Sequence, residues 1–163
     1  MPLITGNAVA ADPFVTVADD AALPPSGGAI VSLTRFNKDR TTLLERNAPI
    51  GVRLKADESP ESLGDDVQRL SVVVLEFPKF SDGRAFSWAR MLRTRLGFTG
   101  QVRAVGDFIF DQIAYKRRVG FDAWEVPDGF KLENFAKAFG EITNVYQPSA
   151  DGRKTIRDLR AGK

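Results

Sequence analysis

The chain has 163 residues, 43% of them hydrophobic and 27% charged, with a formal net charge of +2 and neither cysteine nor histidine. This excludes thiolate nucleophiles, cysteine-ligated zinc or iron–sulfur clusters, Ser-His-Asp triads and imidazole acid–base catalysis, so any chemistry falls to carboxylates, Arg, Lys, Tyr, hydroxyls, backbone amides or a bound cofactor. The length suits one domain that buries its core without disulfide or metal staples, and so small a charge gives little ground for nucleic-acid binding.

The opening Met1-Pro2-Leu3-Ile4-Thr5-Gly6 lacks the basic region and long apolar stretch of a signal peptide. No segment approaches about eighteen apolar residues, so no membrane span is expected and the cytoplasm is the expected compartment. Residues 1–28 are rich in Ala, Asp, Pro and Gly and read as a mobile lead-in, with one stretch, Pro13 to Val17, fit for an edge strand.

An α/β domain is expected over residues 29–146. Ala29-Ile30-Val31-Ser32-Leu33 is β-prone, and the segment from Phe36 to Arg46 follows it as a helix closed by Asn47 and Pro49. Gly51-Val52-Arg53-Leu54 is a second strand. Ser59-Pro60-Glu61 then supplies a cap, a first-turn proline and an acid, and Leu63, Val67 and Leu70 recur at helical spacing. Ser71 to Phe77 is a third strand, so continuously apolar that it suits a sheet covered on both faces.

A helix over Ala85 to Leu96 turns Phe86, Ala89 and Leu92 inward and Arg90, Arg93 and Arg95 mostly outward, with Trp88 exposed among them. Gln101 to Val105 is a fourth strand. Gly106-Asp107 opens the next helix, which holds Asp111 near its start and Lys116, Arg117 and Arg118 near its end, where the helix dipole favours them. Asp122 to Val126 is a fifth strand, and Leu132, Phe135, Ala136, Phe139 and Ile142 mark an amphipathic helix. Residues 147–163 read as a flexible basic tail, with Ile156 and Leu159 able to form one amphipathic turn.

Strand alternating with helix predicts a mainly parallel, five-stranded sheet of repeated strand–helix units joined by right-handed crossovers. Strand starts roughly twenty residues apart fit a partial (β/α) barrel and an open flavodoxin-like sheet alike. In either case ligands sit beyond the carboxyl ends of the strands.

At such an end lies Phe77-Pro78-Lys79-Phe80-Ser81-Asp82-Gly83-Arg84, with excess length and a helix start behind it. Free amides at a helix start favour anions, and Lys79 and Arg84 would add charge. The competing reading is structural: Asp82-Gly83 turns the chain while Asp82 caps the helix and pairs with Arg84. Glu76, Arg103 and Glu125 each fall late in an apolar strand, where charges are seldom placed unless paired or at an edge. They are candidates for a Glu–Arg–Glu cluster, with Arg103 as an anion holder and Glu76 or Asp107 as acid or base. Asp107, Asp111 and Gln112 open a helix, and the two carboxylates there read as dipole partners in preference to metal ligands, so no metal set is assigned. The Arg run with Trp88 is weighed for RNA and read as a solvated face.

Phe77-Pro78-Lys79-Phe80, Asp82-Gly83-Arg84, Phe86-Ser87, Ala89, Leu92-Arg93, Arg95, Gly97-Phe98, Gly100, Arg103-Ala104, Gly106-Asp107, Asp111-Gln112 and Gly120-Phe121-Asp122 form one long motif. The motif resembles a bacterial family known as domain of unknown function 934. The resemblance implies a place beside assimilatory sulfite reductase and the reductase acting on activated sulfate, near which members are often encoded. Some members carry the bare label oxidoreductase. Where relatives commonly have cysteine before Gly-Phe-Asp this chain has Val119, which removes a thiol redox role at that position. The function expected is therefore an auxiliary protein of assimilatory sulfate or sulfite reduction, binding a partner reductase or a small anion. The alternative is an enzyme acting on a small anionic substrate through carboxylate acid–base groups and anion-holding arginines.

Overall fold

A two-residue turn, Gly6-Asn7, folds the first ten residues into a hairpin of β1 (Leu3–Thr5) and β2 (Ala8–Ala10), and β3 (Phe14–Thr16) follows after three residues. The computed structural model, which describes residues 1–162, then places the five expected strands as β4 (Gly28–Ser32), β5 (Ile50–Leu54), β6 (Val72–Phe77), β7 (Gln101–Gly106) and β8 (Ala123–Glu125). All eight join one sheet in the order β2-β1-β8-β7-β6-β5-β4-β3. Pairings from β3 through to β8 are parallel, and β1 lies antiparallel to both β2 and β8. The expected five strands are thus corrected to eight. Of the additional three, β3 is the edge strand expected within Pro13–Val17, while β1 and β2 are strands of three residues, too short to carry a periodicity.

Two features decide between barrel and open sheet. Strands β4 to β8 follow one another in space with no reversal of order, and the helices that enter the core pack on one face. That face carries Ala29, Val31, Val52, Leu54, Val73, Leu75, Phe77, Val102 and Ala104, in one core with helix residues such as Phe36, Leu63, Ala89, Leu92, Ile113 and Phe135. A flavodoxin-like sheet has helices on both faces and a switch in strand order. The opposite face holds a second, small core of Ile30, Val72, Val74 and Val105 with Phe14 against it. The alternation of strand side chains separates the two cores.

The sheet is a curled half-barrel, and chain length requires the curl. Flat, eight strands at about 4.8 Å would separate the edges β2 and β3 by roughly 34 Å. The three residues between those edges reach at most about 15 Å. The edges therefore approach each other, and Asp12, at the middle of the connection, meets the inner face.

The helices are α1 (Leu33–Lys38), α2 (Arg40–Glu45), α3 (Arg84–Thr94), α4 (Ile113–Val119), α5 (Glu133–Glu141) and α6 (Ile156–Arg160), with 3-10 segments at Pro60–Arg69 and Phe110–Gln112. The first 3-10 segment is broken at Gly64, whose φ of 59° no helix tolerates. In the expected tail, Thr155 and Asp158 cap α6 reciprocally, and Val145 bridges to Thr155.

Arg93 departs from its expected outward place. It donates to the carbonyls of Gly120 (3.0 Å), Phe98 (2.7 Å) and Gly100 (2.8 Å) and pairs with Asp122, tying α3 to the turns that flank β7. Trp88 is likewise half-buried, its indole N–H donating to Ala56 at 2.9 Å.

Candidate functional site

The inner face of the half-barrel presents charge at two levels. Arg53 on β5 lies opposite Val74 on β6, and Val74 lies opposite Arg103 on β7. Two guanidinium groups therefore flank one valine on a face that also carries Glu76, Gln101 and Glu125.

Arg103 turns into the interior, its side chain 1% exposed. Asp12 grips it with both oxygens, at 2.7 and 3.0 Å; Glu125 accepts at 3.0 Å, and Gln101 accepts from Nε at 3.1 Å and from a terminal nitrogen at 3.0 Å. Phe14 covers the guanidinium, with its ring centroid 5.8 Å away. A buried Arg requires such acceptors because it does not discharge by losing a proton. With all three nitrogens engaged, Arg103 has no arm for a ligand while Asp12 stays in place. Of the expected Glu–Arg–Glu cluster, Glu125 joins Arg103 and Glu76 does not.

Glu76 instead pairs with Arg53. Both Nε (2.8 Å) and a terminal nitrogen of Arg53 donate to Oε1 of Glu76. The side chains remain 36% and 29% exposed, at the carboxyl-end mouth of the half-barrel. Ser32, opposite Arg53 on β4, donates its hydroxyl to Asp19 at 2.6 Å. The mouth thus carries a solvent-facing cation, a carboxylate and a hydroxyl on three adjacent strands. The sequence reading missed Arg53, although the signal was available: a lone charge in a short apolar strand, as at Arg103.

The loop after β6 lies on the helix side of the sheet, apart from this mouth. Gly106 lets it in. Its φ is +102°, and a Cβ there would collide with the Phe77 carbonyl, to which the Asp107 amide donates at 2.8 Å. Asp107 accepts the Phe80 amide at 3.2 Å, and Gln112 donates to the Phe80 carbonyl at 2.7 Å. Asp107 and Gln112 therefore hold a loop, and the helix expected to open at Gly106-Asp107 begins later, at Phe110. Within the loop Asp82 accepts the Arg84 amide at 3.1 Å and its guanidinium at 2.7 Å, while Gly83 occupies the N-cap of α3. The Arg84 hydrogen bond holds the Asp82 carboxyl down at about 2, and Asp82 in turn raises the Arg84 pKa. Lys79 and Asp111 are exposed. The loop gathers Lys79, Asp82, Arg84 and Asp107, while Arg103 faces the other side of the sheet.

Lys116, expected near a helix end where the dipole favours it, is fully buried. Its ammonium lies 3.6 Å from the ring centroid of Phe77, 4.3 Å from Phe86 and 4.9 Å from Phe108, and donates to Gln112 at 3.0 Å. Burial pushes its pKa down to about 7, while three ring faces act in the opposite direction. The overlooked signal is spacing: Ile113, Lys116 and Val119 share the buried stripe of α4.

Among the described residues no group of three or more acidic side chains gathers to hold a metal ion, and no helix is long and apolar enough to cross a membrane. The sequence model of a family described as bacterial protein of unknown function (DUF934) matches residues 51–157. Neither the curated proteins nor the solved structures include a match.

Proposed function

Since the chain belongs to the bacterial DUF934 family, we propose that it is a cytoplasmic auxiliary protein of assimilatory sulfate or sulfite reduction that takes a small oxyanion at the carboxyl-end mouth of the half-barrel. The sulfur context is what family membership implies. The observation that carries the anion reading is Arg53, a half-buried guanidinium whose protein bonds both run to one oxygen of Glu76. An oxyanion approaching from the mouth finds a fixed, partly desolvated cation, where a charge-assisted bond is stronger than in open water. A partner reductase that presents an acidic side chain would use the same group.

A second reading, an enzyme acting on a small anionic substrate, is favoured by Glu76 itself. A carboxylate held beside the anion-holding Arg53 is placed to move a proton on whatever Arg53 binds.

A strain lacking the protein, grown on sulfate, sulfite or sulfide as sole sulfur source, tests the context. Growth restored by sulfide and not by sulfite places the step at sulfite reduction. Normal growth on all three sources overturns the sulfur assignment. Complementation by Glu76→Gln separates the two readings, because only an enzyme using that carboxylate fails to be rescued.

A further inference from the structure

The helix layer holds a hollow between α4, α5 and the segment that leads to α6. Its volume is about 360 Å3, within the range of small-molecule sites. Tyr115, Phe139 and Ile142 form its apolar walls, and Tyr115 and Ile142 are each more than half exposed although large and apolar.

Three guanidinium groups enter the same space, and they are held in position. Arg118 donates to Asp151 at 3.1 Å and to the Gln147 carbonyl at 2.6 Å, with its side chain 19% exposed. Arg153 bonds the Ile142 and Thr143 carbonyls at 3.2 and 2.6 Å. Arg117 stacks over the Phe139 ring, 4.6 Å from its centroid. Against these cations stand Asp111 and Asp151. Asp151 is already engaged by Arg118 and by the Arg153 amide. Rings and an aliphatic side chain in the walls suit a flat apolar body, and the excess of fixed cations suits an attached anionic group.

We propose that this cleft is a binding site for a small planar anion, a one- or two-ring molecule bearing a carboxylate, sulfonate or phosphate. The ring lies against Tyr115, Phe139 and Ile142, and the anionic group meets Arg117. Fixed guanidinium groups reduce the ordering cost of binding.

The probe is 1-anilinonaphthalene-8-sulfonate, titrated into the full chain at neutral pH. Trp124 reports independently, because its ring lies 5.6 Å from that of Phe139; a Trp88→Phe background isolates its emission. The expected result is saturable binding of one probe per chain with a parallel change in Trp124 emission. Ala114→Phe fills the cleft without altering charge, and Arg117→Met removes one cation but keeps an apolar stem on Phe139. Each is expected to weaken the probe at least about tenfold with the urea midpoint unchanged. If either variant fails to fold, the other still decides. Equal binding by wild type and a folded variant, non-saturating binding, or an unresponsive Trp124 overturns the proposal.

Discussion

Arg53 and Arg103 stand at the same height of one sheet face, separated by Val74, yet the fold treats them oppositely. Arg103 lies under Phe14 and beside the connection that draws the edges of the half-barrel together, and four side chains saturate or cover it. Arg53, two strands nearer β3, has a single partner and a third of its surface open. Residue type and strand position do not distinguish them. What does is the distance to the connection that carries Asp12, ninety-one residues from Arg103 in sequence. The interior cation is a structural tie, and the mouth cation is the one with capacity for a ligand.

The largest expected effect breaks the tie. Arg103→Ala leaves Asp12 and Glu125, 34% and 20% exposed, without their cation and is expected to cost about 3 kcal/mol, read as a lower urea midpoint. A loss no greater than that of Arg53→Met would erase the distinction between the two sites. Arg93 is a second saturated arginine: with three carbonyls and Asp122 as acceptors, Arg93→Ala is expected to cost about 2–3 kcal/mol in the same measurement.

Lys116 sharpens the comparison, because it is a cation buried without any carboxylate partner among its described bonds. Its ammonium loses its proton near pH 7 in the folded chain, against a usual value of 10.5. Between those values the unfolded chain binds more protons, so this residue makes stability rise with pH across that window. Lys116→Met, which keeps the stem in the Phe77–Phe86–Phe108 box, is expected to raise the melting temperature at pH 7 by roughly 4 °C or more and to flatten that slope. A lower melting temperature would mean that ring faces and Gln112 stabilise the ammonium outright.

The smaller stability effects belong to the mouth and to the Asp82–Arg84 loop. Arg53→Met removes a partly exposed pair and is expected to cost no more than about 1 kcal/mol. Arg84→Ala, which breaks an exposed pair with Asp82, is expected to leave the urea midpoint unchanged.

How much of this was legible follows from length scales. Runs such as Val72 to Leu75 announce themselves because a strand segment covered on both faces has no reason for polar residues, and their spacing predicted the helical crossovers. The β1–β2 hairpin carried its Gly6-Asn7 turn in plain view, but strands of three residues have too few positions for alternation to register. Arg103 was recognisable as a charge in need of partners, and Glu125 as one of them. Asp12 was not, because no local pattern records which distant segment will cross a curled sheet. The mouth was masked by a stronger local signal, the Lys79–Arg84 loop, whose excess length serves to dock Phe80 on Asp107 and Gln112.

Calorimetric titration of sulfite, sulfate and phosphate into wild type, Arg53→Met and Arg84→Met tests the account most directly. Wild type and Arg84→Met are expected to bind one anion with the same affinity, and Arg53→Met to bind at least about tenfold more weakly with its melting temperature nearly unchanged. Loss of binding in Arg84→Met with full binding in Arg53→Met, or no binding by wild type, would contradict it.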